Sequence, residues 1–129
     1  MKRILGLGNA LTDILLQVSE GDLREMGFPK GSMNLIDAEK FEQLQARFIS
    51  VRKHLVAGGS ASNTVTTIAQ LGGKAAFIGK IGCDEVGNFY KEDLIKNNVK
   101  PRLLTSSLMS GCCIVPITPD GERTFCTYL

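Results

Sequence analysis

The stretch KHLVAGGSASNTVTTIAQLGGKAAFIG, residues 53–79, decides the fold class. Its first part, residues 53–57, predicts a short strand that runs directly into two glycines. Residues 60–71 then predict a helix that ends at a second pair of glycines, and residues 75–78 predict another strand. A strand, a helix and a strand in this order are typical of a parallel β-α-β unit.

The alternation of strands and helices continues on both sides of this stretch. The further predicted strands are residues 3–8, 14–18, 33–36 and 99–104. Residues 38–49 predict a helix with Asp37 as its N-cap, and Asp84 or Glu85 opens another helix over residues 86–97. Four apolar side chains, those of Val86, Phe89, Leu94 and Ile95, are expected to form the buried face of that last helix. The sequence therefore predicts an α/β fold with a Rossmann-like parallel sheet flanked by helices.

The end of the chain departs from this pattern. Residues 112–118 and 123–128 are two short apolar runs, separated by Pro119-Asp120-Gly121-Glu122. Proline, aspartate and glycine in this order favour a tight turn, so the segment predicts a β-hairpin. We therefore expect a separate small flap of strands beside the α/β core.

Composition excludes several classes of protein. Apolar residues make up 43% of the 129 positions, charged residues 22%, and the net charge of +2 is too small to indicate a nucleic-acid or membrane partner. The four cysteines show no metal-ligand spacing, so we expect them to be reduced and no metal site to be present. We see no secretory signal, and a cytoplasmic location is the default expectation.

The strongest candidate site is the turn at residues 57–63, AGGSASN. Gly58 and Gly59 have no Cβ, so a ligand can approach the backbone closely. Ser60 is expected to cap the following helix, and Asn63 on its first turn offers both a donor and an acceptor. This mixture suits a polyhydroxylated substrate. The alternative is a glycine turn with an ordinary cap.

A second candidate follows the first predicted strand. Asn9 and Asp13 emerge where the carboxyl end of a parallel strand is expected, which is the usual ligand edge of an open α/β sheet. A carboxylate at this place can accept hydrogen bonds from two neighbouring hydroxyls of a sugar. The alternative is that both residues only shape a turn.

Two nucleotide-binding motifs do not match. The sequence has no G-x-x-x-x-G-K-[ST] loop. Gly6-x-Gly8 is followed by Leu11 where a dinucleotide fingerprint requires a small residue, which disfavours a nicotinamide-binding domain.

Taken together, the motifs resemble the N-terminal half of the ribokinase-like (PfkB) carbohydrate kinases. The segments that carry the resemblance are Gly58-Gly59-x-x-x-Asn63, Leu71-Gly72-Gly73 and Phe77-Ile78-Gly79-Lys80-Ile81-Gly82-x-Asp84-x-x-Gly87. The opening Gly6-x-Gly8-Asn9 and the late stretch TPDGER, residues 118–123, are also similar to the family. The four-residue step from Asn9 to Asp13 resembles the adenosine kinase branch.

The resemblance implies a role for each candidate residue. Asp13 and Asn63 would bind ribose hydroxyls, with Gly58, Gly59 and Ser60 beside them, and Asn9 would support the pocket. Arg123, in the flap hairpin, matches a lid arginine that can reach the transferred phosphate.

The resemblance also implies that residues 1–129 are the N-terminal part of one kinase domain, with lid strands at about 14–36 and 105–129. No residue of this chain is expected to act as the catalytic base. The base and most contacts to ATP and Mg²⁺ would belong to a C-terminal half that this chain lacks, so we expect the isolated chain to be inactive. The expected partner is a small sugar or nucleoside, preferably adenosine, and the lid strands suggest a homodimer. The alternative is a non-catalytic binding or dimerising module.

Overall fold

The structure is a computed structural model, and it describes residues 2–129. The strands are β1 (Arg3–Leu7), β2 (Leu11–Gln17), β3 (Met33–Leu35), β4 (Lys53–Gly58), β5 (Lys74–Gly82), β6 (Val99–Ser106), β7 (Cys112–Ile117) and β8 (Phe125–Tyr128). The helices are α1 (Glu20–Met26), α2 (Ala38–Arg47), α3 (Ser60–Gln70) and α4 (Glu85–Lys96). The described chain forms two compact units, the first with residues 2–12 and 57–111, the second with residues 13–56 and 112–129.

The first unit is built on a parallel sheet in the order β1-β5-β6. Helices α3 and α4 pack on this sheet and cover one face. Phe77 on β5 is fully buried there, and its ring lies 5.9 Å from the ring of Tyr90 on α4. The remaining buried members of this core are Ala10, Val65, Ala69, Ala75, Ile81, Leu94 and Val99. The predicted parallel sheet with flanking helices is therefore confirmed.

The opposite face of this sheet is exposed, and we call it the open face. The strand pairing aligns Leu5 with Ala76 and Leu7 with Ile78, one position away from the buried Phe77. Because side chains alternate along a strand, these residues point away from the helices. Leu7 is 73% exposed. The surface around this apolar strip is lined by four basic residues, Arg3, Lys74, Lys100 and Arg102.

The second unit contains the order β3-β8-β7-β2-β4, with β3 parallel and β7 antiparallel to β8. The predicted hairpin at the end of the chain is therefore confirmed. Phe41 on α2 packs against Tyr128 on β8, with ring centroids 6.0 Å apart. The other large buried apolar residues of this unit are Ile14, Leu16, Val18, Leu23, Met26, Leu44, Phe48, Ile114 and Val115.

Polar caps explain where three helices begin. Asp37 accepts a hydrogen bond from Lys40 N at 2.8 Å at the start of α2, and Asp84 accepts one from Gly87 N at 2.8 Å at the start of α4. Ser19 and Asp22 form a reciprocal capping box at the start of α1. None of the described helices has the length and apolar character to cross a membrane.

Three sequence predictions need correction. The helix α1 was not predicted, although Ser19, Asp22 and the left-handed Gly27 are its signals. The second strand begins at residue 11 and not at 14. On α4 the predicted Leu94 is fully buried, but so is Tyr90, which was not predicted, whereas Ile95 is 54% exposed, because the helix presents residues 87, 90 and 94 to the sheet.

Candidate functional site

The turn between β4 and α3 is held in a conformation that requires glycine. Gly59 has φ of 95° and is the N-cap residue of α3. A Cβ at this position would lie 2.7 Å from the backbone oxygen of Asn9, so the two candidate loops of the first unit are in contact. The prediction that Ser60 caps the helix is wrong. Only glycine adopts this φ easily, so the chain turns at residue 59 and Ser60 already belongs to the helix.

The N-terminus of α3 has no side-chain cap. Its N-cap residue is Gly59, which has no side chain to accept a hydrogen bond from the first amides of the helix. Ser60 and Asn63 are both exposed, and Asn63 lies on the first turn as predicted, with its own amide donating to Gly59 O at 2.9 Å. Free amides and a positive helix end attract oxygen atoms of hydroxyl or phosphate groups.

Tyr90 supports this turn through its hydroxyl, and it was not predicted as a site residue. Its hydroxyl donates to Gly58 O at 3.1 Å and also forms a hydrogen bond with Ser62. Burial raises the pKa of the Tyr90 hydroxyl, so it stays protonated and remains a donor. An aromatic residue with a polar tip on a predicted buried helix face was the available signal.

Asp13 is the central polar residue of the second unit. Burial raises the pKa of its carboxyl, and the positive charge of Arg123 partly lowers it again. Arg123 is exposed and lies next to the hairpin turn, forming an isolated bridge with Ile117. The structure therefore places the two predicted residues of the second unit within electrostatic reach of each other.

A row of side chains extends from Asp13 across the sheet. The charge of Asp13 contributes, after burial, to the raised pKa of the Cys113 thiol. Cys113 pairs with Thr127, whose Oγ1 lies 3.2 Å from Cys113 Sγ, and Thr127 pairs with Leu35 on β3. Paired residues of neighbouring strands point to the same face. This row therefore places a carboxylate, a thiol, a hydroxyl and an apolar side chain on one face.

The far end of this face is apolar and accessible. Leu35 is 80% exposed and Met33 is 81% exposed, and both lie on the edge strand β3. No sequence pattern predicted Cys113, Thr127, Met33 or Leu35 as site residues. Their alternation along predicted strands was visible, but the pairing of the strands was not.

The chain offers little for a metal ion. Among residues 2–129, no group of three or more histidine, cysteine or acidic side chains has an arrangement that could hold one. Three of the four cysteines are buried, Cys83 is exposed, and none is in a disulfide. Burial, together with Cys113, raises the pKa of Cys126 to about 12, so this thiol stays protonated.

The structure divides the predicted site residues between the two units. Asn9, Gly58, Gly59, Ser60 and Asn63 belong to the first unit, and Asp13 and Arg123 belong to the second. Within each unit the predicted residues are brought together, at the α3 turn in one case and beside the hairpin in the other.

Comparison with known proteins identifies relatives over most of the chain. Residues 31–129 match the model of the pfkB family carbohydrate kinases. Among curated proteins, the chain is 40% identical over 74 residues to aminoimidazole riboside kinase of Salmonella typhimurium and 38% identical over 73 residues to fructokinase-2 of Zea mays. These alignments cover 56% and 55% of this chain but only 23% and 22% of the relatives.

Solved structures match over 98% of the chain. Adenosine kinase from Sinorhizobium meliloti is 36% identical with a TM-score of 0.82, and this chain covers 38% of it. Anopheles gambiae adenosine kinase, solved with P1,P4-di(adenosine-5) tetraphosphate, is 27% identical with a TM-score of 0.86, and this chain covers 40% of it. The chain thus spans about two fifths of these kinases. The predicted ribokinase-like fold and family are confirmed, and the chain belongs to the pfkB family of carbohydrate kinases.

Proposed function

We propose that the intact protein transfers the γ-phosphoryl group of ATP to a hydroxyl of a ribosyl acceptor, preferably adenosine. In this proposal the present chain supplies the acceptor-binding side. Kinases of this family use ATP. The observation that carries the proposal is the face on which the half-buried Asp13 shares a row with Cys113, Thr127 and the exposed Leu35.

The environment of Asp13 suits a ligand with neighbouring hydroxyl groups. Partial burial opposes the ionised carboxylate, so a ligand that donates hydrogen bonds to it compensates for lost water. Two adjacent hydroxyls of a ribose ring supply such donors. Within the first unit, Asn63 lies on the first turn of α3, and the backbone oxygen of Asn9 lies close to Gly59 and supports the turn.

The apolar end of the row favours a nucleoside over a free sugar. Neighbouring strands lie about 4.8 Å apart, so β3 lies roughly 14 Å from β2 across the sheet. A single sugar ring bound at Asp13 leaves Met33 and Leu35 uncovered, whereas an attached base covers apolar surface in their direction. The adenosine kinases among the relatives, which match over 98% of the chain, support the same acceptor.

The open face of the first unit supports the view that ATP binds mainly to another part of the protein. Parallel sheets are normally covered on both faces, and here one face exposes Leu5, Leu7 and Leu104. We propose that the ATP-binding half covers this face and carries the base and the Mg²⁺ contacts. The proposal also includes a cytoplasmic location, Arg123 as a phosphate contact, and a homodimer through the edge strand β3.

The decisive experiment measures ADP formation by the intact protein with MgATP and a panel of acceptors. The panel contains adenosine, aminoimidazole riboside, ribose and fructose. We expect adenosine to give the highest kcat/KM. Turnover only with fructose would refute the nucleoside assignment, and binding without any turnover would favour the non-catalytic module.

A matched pair of variants tests the role of Asp13. Asp13→Asn keeps the size of the side chain but removes the charge, and we expect kcat/KM for adenosine to fall at least about tenfold. Glu42→Gln removes a charge from an exposed position on α2 and serves as the control. Equal activities of the two variants would remove Asp13 from the site.

The 129-residue chain provides a separate test. We expect it to be inactive but to show a higher melting temperature in the presence of adenosine, since a ligand stabilises the state that binds it. Adenosine-dependent ATP turnover by this chain alone would contradict the proposal that the catalytic base and most ATP contacts lie in another part of the protein.

A further inference from the structure

Three residues of the second unit, Lys30, Gly31 and Ser32, lie against the hairpin that carries Arg123, and we call them the clasp. Lys30 Nζ donates to Asp120 Oδ2 at 2.5 Å and to Glu20 Oε1 at 2.7 Å. Asp120 is in the hairpin turn and Glu20 is the first residue of α1. Lys30 therefore joins the start of a helix to a turn that lies 90 residues further along the chain.

Asp120 connects the lysine to the backbone of the turn. Its Oδ1 accepts hydrogen bonds from Thr118 Oγ1 at 2.7 Å and from Glu122 N at 3.2 Å. The hydrogen bond from Lys30, together with those from the turn, lowers the pKa of Asp120 to about 2. The carboxylate is thus ionised at neutral pH and holds both the turn and the lysine.

The clasp also contacts the chain on the other side of Arg123. Gly31 N donates to the hydroxyl of the buried Thr124 at 3.0 Å, and Phe125 N donates to Ser32 O at 2.9 Å. Gly31 has φ of 78°, and a Cβ there would lie 2.9 Å from the carboxylate of Glu122. The left-handed backbone favours glycine here, whereas the exposed Glu122 side chain could move aside for a Cβ.

We propose that the clasp fixes the backbone on both sides of Arg123, so that Lys30 is a positioning residue for this arginine during phosphoryl transfer. The anchors are Asp120 on one side of the arginine and Thr124 and Phe125 on the other. A long exposed side chain reaches a reacting phosphate efficiently only when its backbone is held in place. The inference rests on the proposed function, in which Arg123 contacts the transferred phosphate.

The kinetic test uses the intact protein and three single variants. Lys30→Gln is expected to lower kcat about tenfold while KM for adenosine changes less than about twofold, and Lys30→Arg restores most of the loss. Lys91→Gln, at an exposed lysine of α4, is the charge-matched control and keeps the wild-type kcat.

A double-mutant cycle separates positioning from general destabilisation. In an Arg123→Ala background, Lys30→Gln is expected to have no further effect on kcat, because the arginine that it positions is gone. An unchanged kcat in Lys30→Gln, or the same loss with and without Arg123, would overturn the proposal.

A second measurement does not depend on turnover. In the 129-residue chain, the carboxyl of Asp13 is titrated by NMR, since its pKa responds to the charge of Arg123. We expect Arg123→Gln to raise this pKa, Lys30→Gln to raise it less, and the double variant to match Arg123→Gln. If the intact protein phosphorylates none of the acceptors, the proposed function fails. The titration still tests whether the clasp positions Arg123, because an unchanged pKa of Asp13 in Lys30→Gln would overturn that role.

Discussion

The two units of this chain each expose apolar residues on a sheet, and the surroundings of these residues differ in chemistry. The open face of the first unit carries Leu5, Leu7 and Leu104 with basic residues around them. In the second unit, the exposed apolar residues of β3 lie at the end of a row that contains the half-buried Asp13, the buried Cys113 and Thr127. The first pattern is suited to a covering layer of protein, whereas the second is suited to a small amphipathic ligand.

The difference shows how exposed apolar residues are to be interpreted. Leu7 and Leu35 are similarly exposed, but only Leu35 belongs to a row that contains a half-buried carboxylate. A half-buried carboxylate indicates a binding site, because partial burial removes part of its hydration and a ligand that donates hydrogen bonds can replace the lost water. Apolar surface without such a group indicates missing protein contacts instead.

The largest expected effects come from the cores that support the two faces. Phe77→Ala in the first unit and Phe41→Ala in the second each remove a fully buried ring, at a cost of about 3–5 kcal/mol. Tyr90 packs on Phe77 and Tyr128 packs on Phe41, so fluorotyrosine NMR reports on each unit separately. We expect Phe77→Ala to perturb mainly the signal of Tyr90, and Phe41→Ala to perturb mainly the signal of Tyr128. If each variant perturbed mainly the other tyrosine, the assignment of these residues to two separate cores would be wrong.

A smaller loss is expected at the start of α4. Asp84 accepts hydrogen bonds from Gly87 N, Ser110 N and Ser110 Oγ at 2.7–2.8 Å, and Asp84→Ala is expected to cost about 2 kcal/mol in urea unfolding. Burial alone would raise the pKa of this carboxyl, but the hydrogen bonds from Ser110 and Gly87 lower it below 3.8. Its contribution is therefore present above pH 3.8 and lost as the pH falls through the folded-state pKa. If the difference in the free energy of unfolding between Asp84→Ala and wild type stays constant at low pH, the ionised carboxylate is not the source of the stabilisation.

The carboxyl of Asp13, the proposed ligand contact, is expected to affect stability with the opposite sign. Burial raises the pKa of Asp13, so the ionised carboxylate destabilises the folded state at neutral pH. We expect Asp13→Asn to raise the melting temperature of the 129-residue chain by about 2–5 °C while adenosine no longer shifts it. The gain in stability disappears below pH 3.8, where the carboxyl is protonated in both states. A lower melting temperature at neutral pH would show that Asp13 has a structural role.

The smallest effect on the isolated chain is expected at the open face. Leu5→Gln and Leu7→Gln change exposed side chains, so the free energy of unfolding of the 129-residue chain changes by less than about 0.5 kcal/mol. In the intact protein we expect a loss of about 1–2 kcal/mol for each, because a covering layer buries them. Equal small effects in both proteins would show that nothing covers this face.

Much of the fold was predictable because its signals are local. The stretch around Gly59 contains a strand, a helix and a strand, and Asp37 and Asp84 mark two helix starts with ordinary caps. The hairpin followed from Pro119, Asp120 and Gly121. The error at Ser60 was also local, because residues 59 and 60 are both acceptable at an N-cap and only the φ of Gly59 distinguishes them.

Contacts between distant segments could not be predicted in this way. The row from Asp13 to Leu35 depends on which strands pair and in which register, and the clasp joins residues 30 and 120. The hydroxyl of Tyr90 reaches Gly58 only after α4 has packed on the sheet.

The sequence by itself determined the order of the elements other than α1, the glycine turn at residues 58–59 and the family, since these depend on residue types at short spacing. The tertiary structure decided which side chains share a face with Asp13, how Arg123 is held and which sheet face remains uncovered. These features depend on the pairing of strands that are far apart in the chain, and short-range sequence patterns do not predict that pairing.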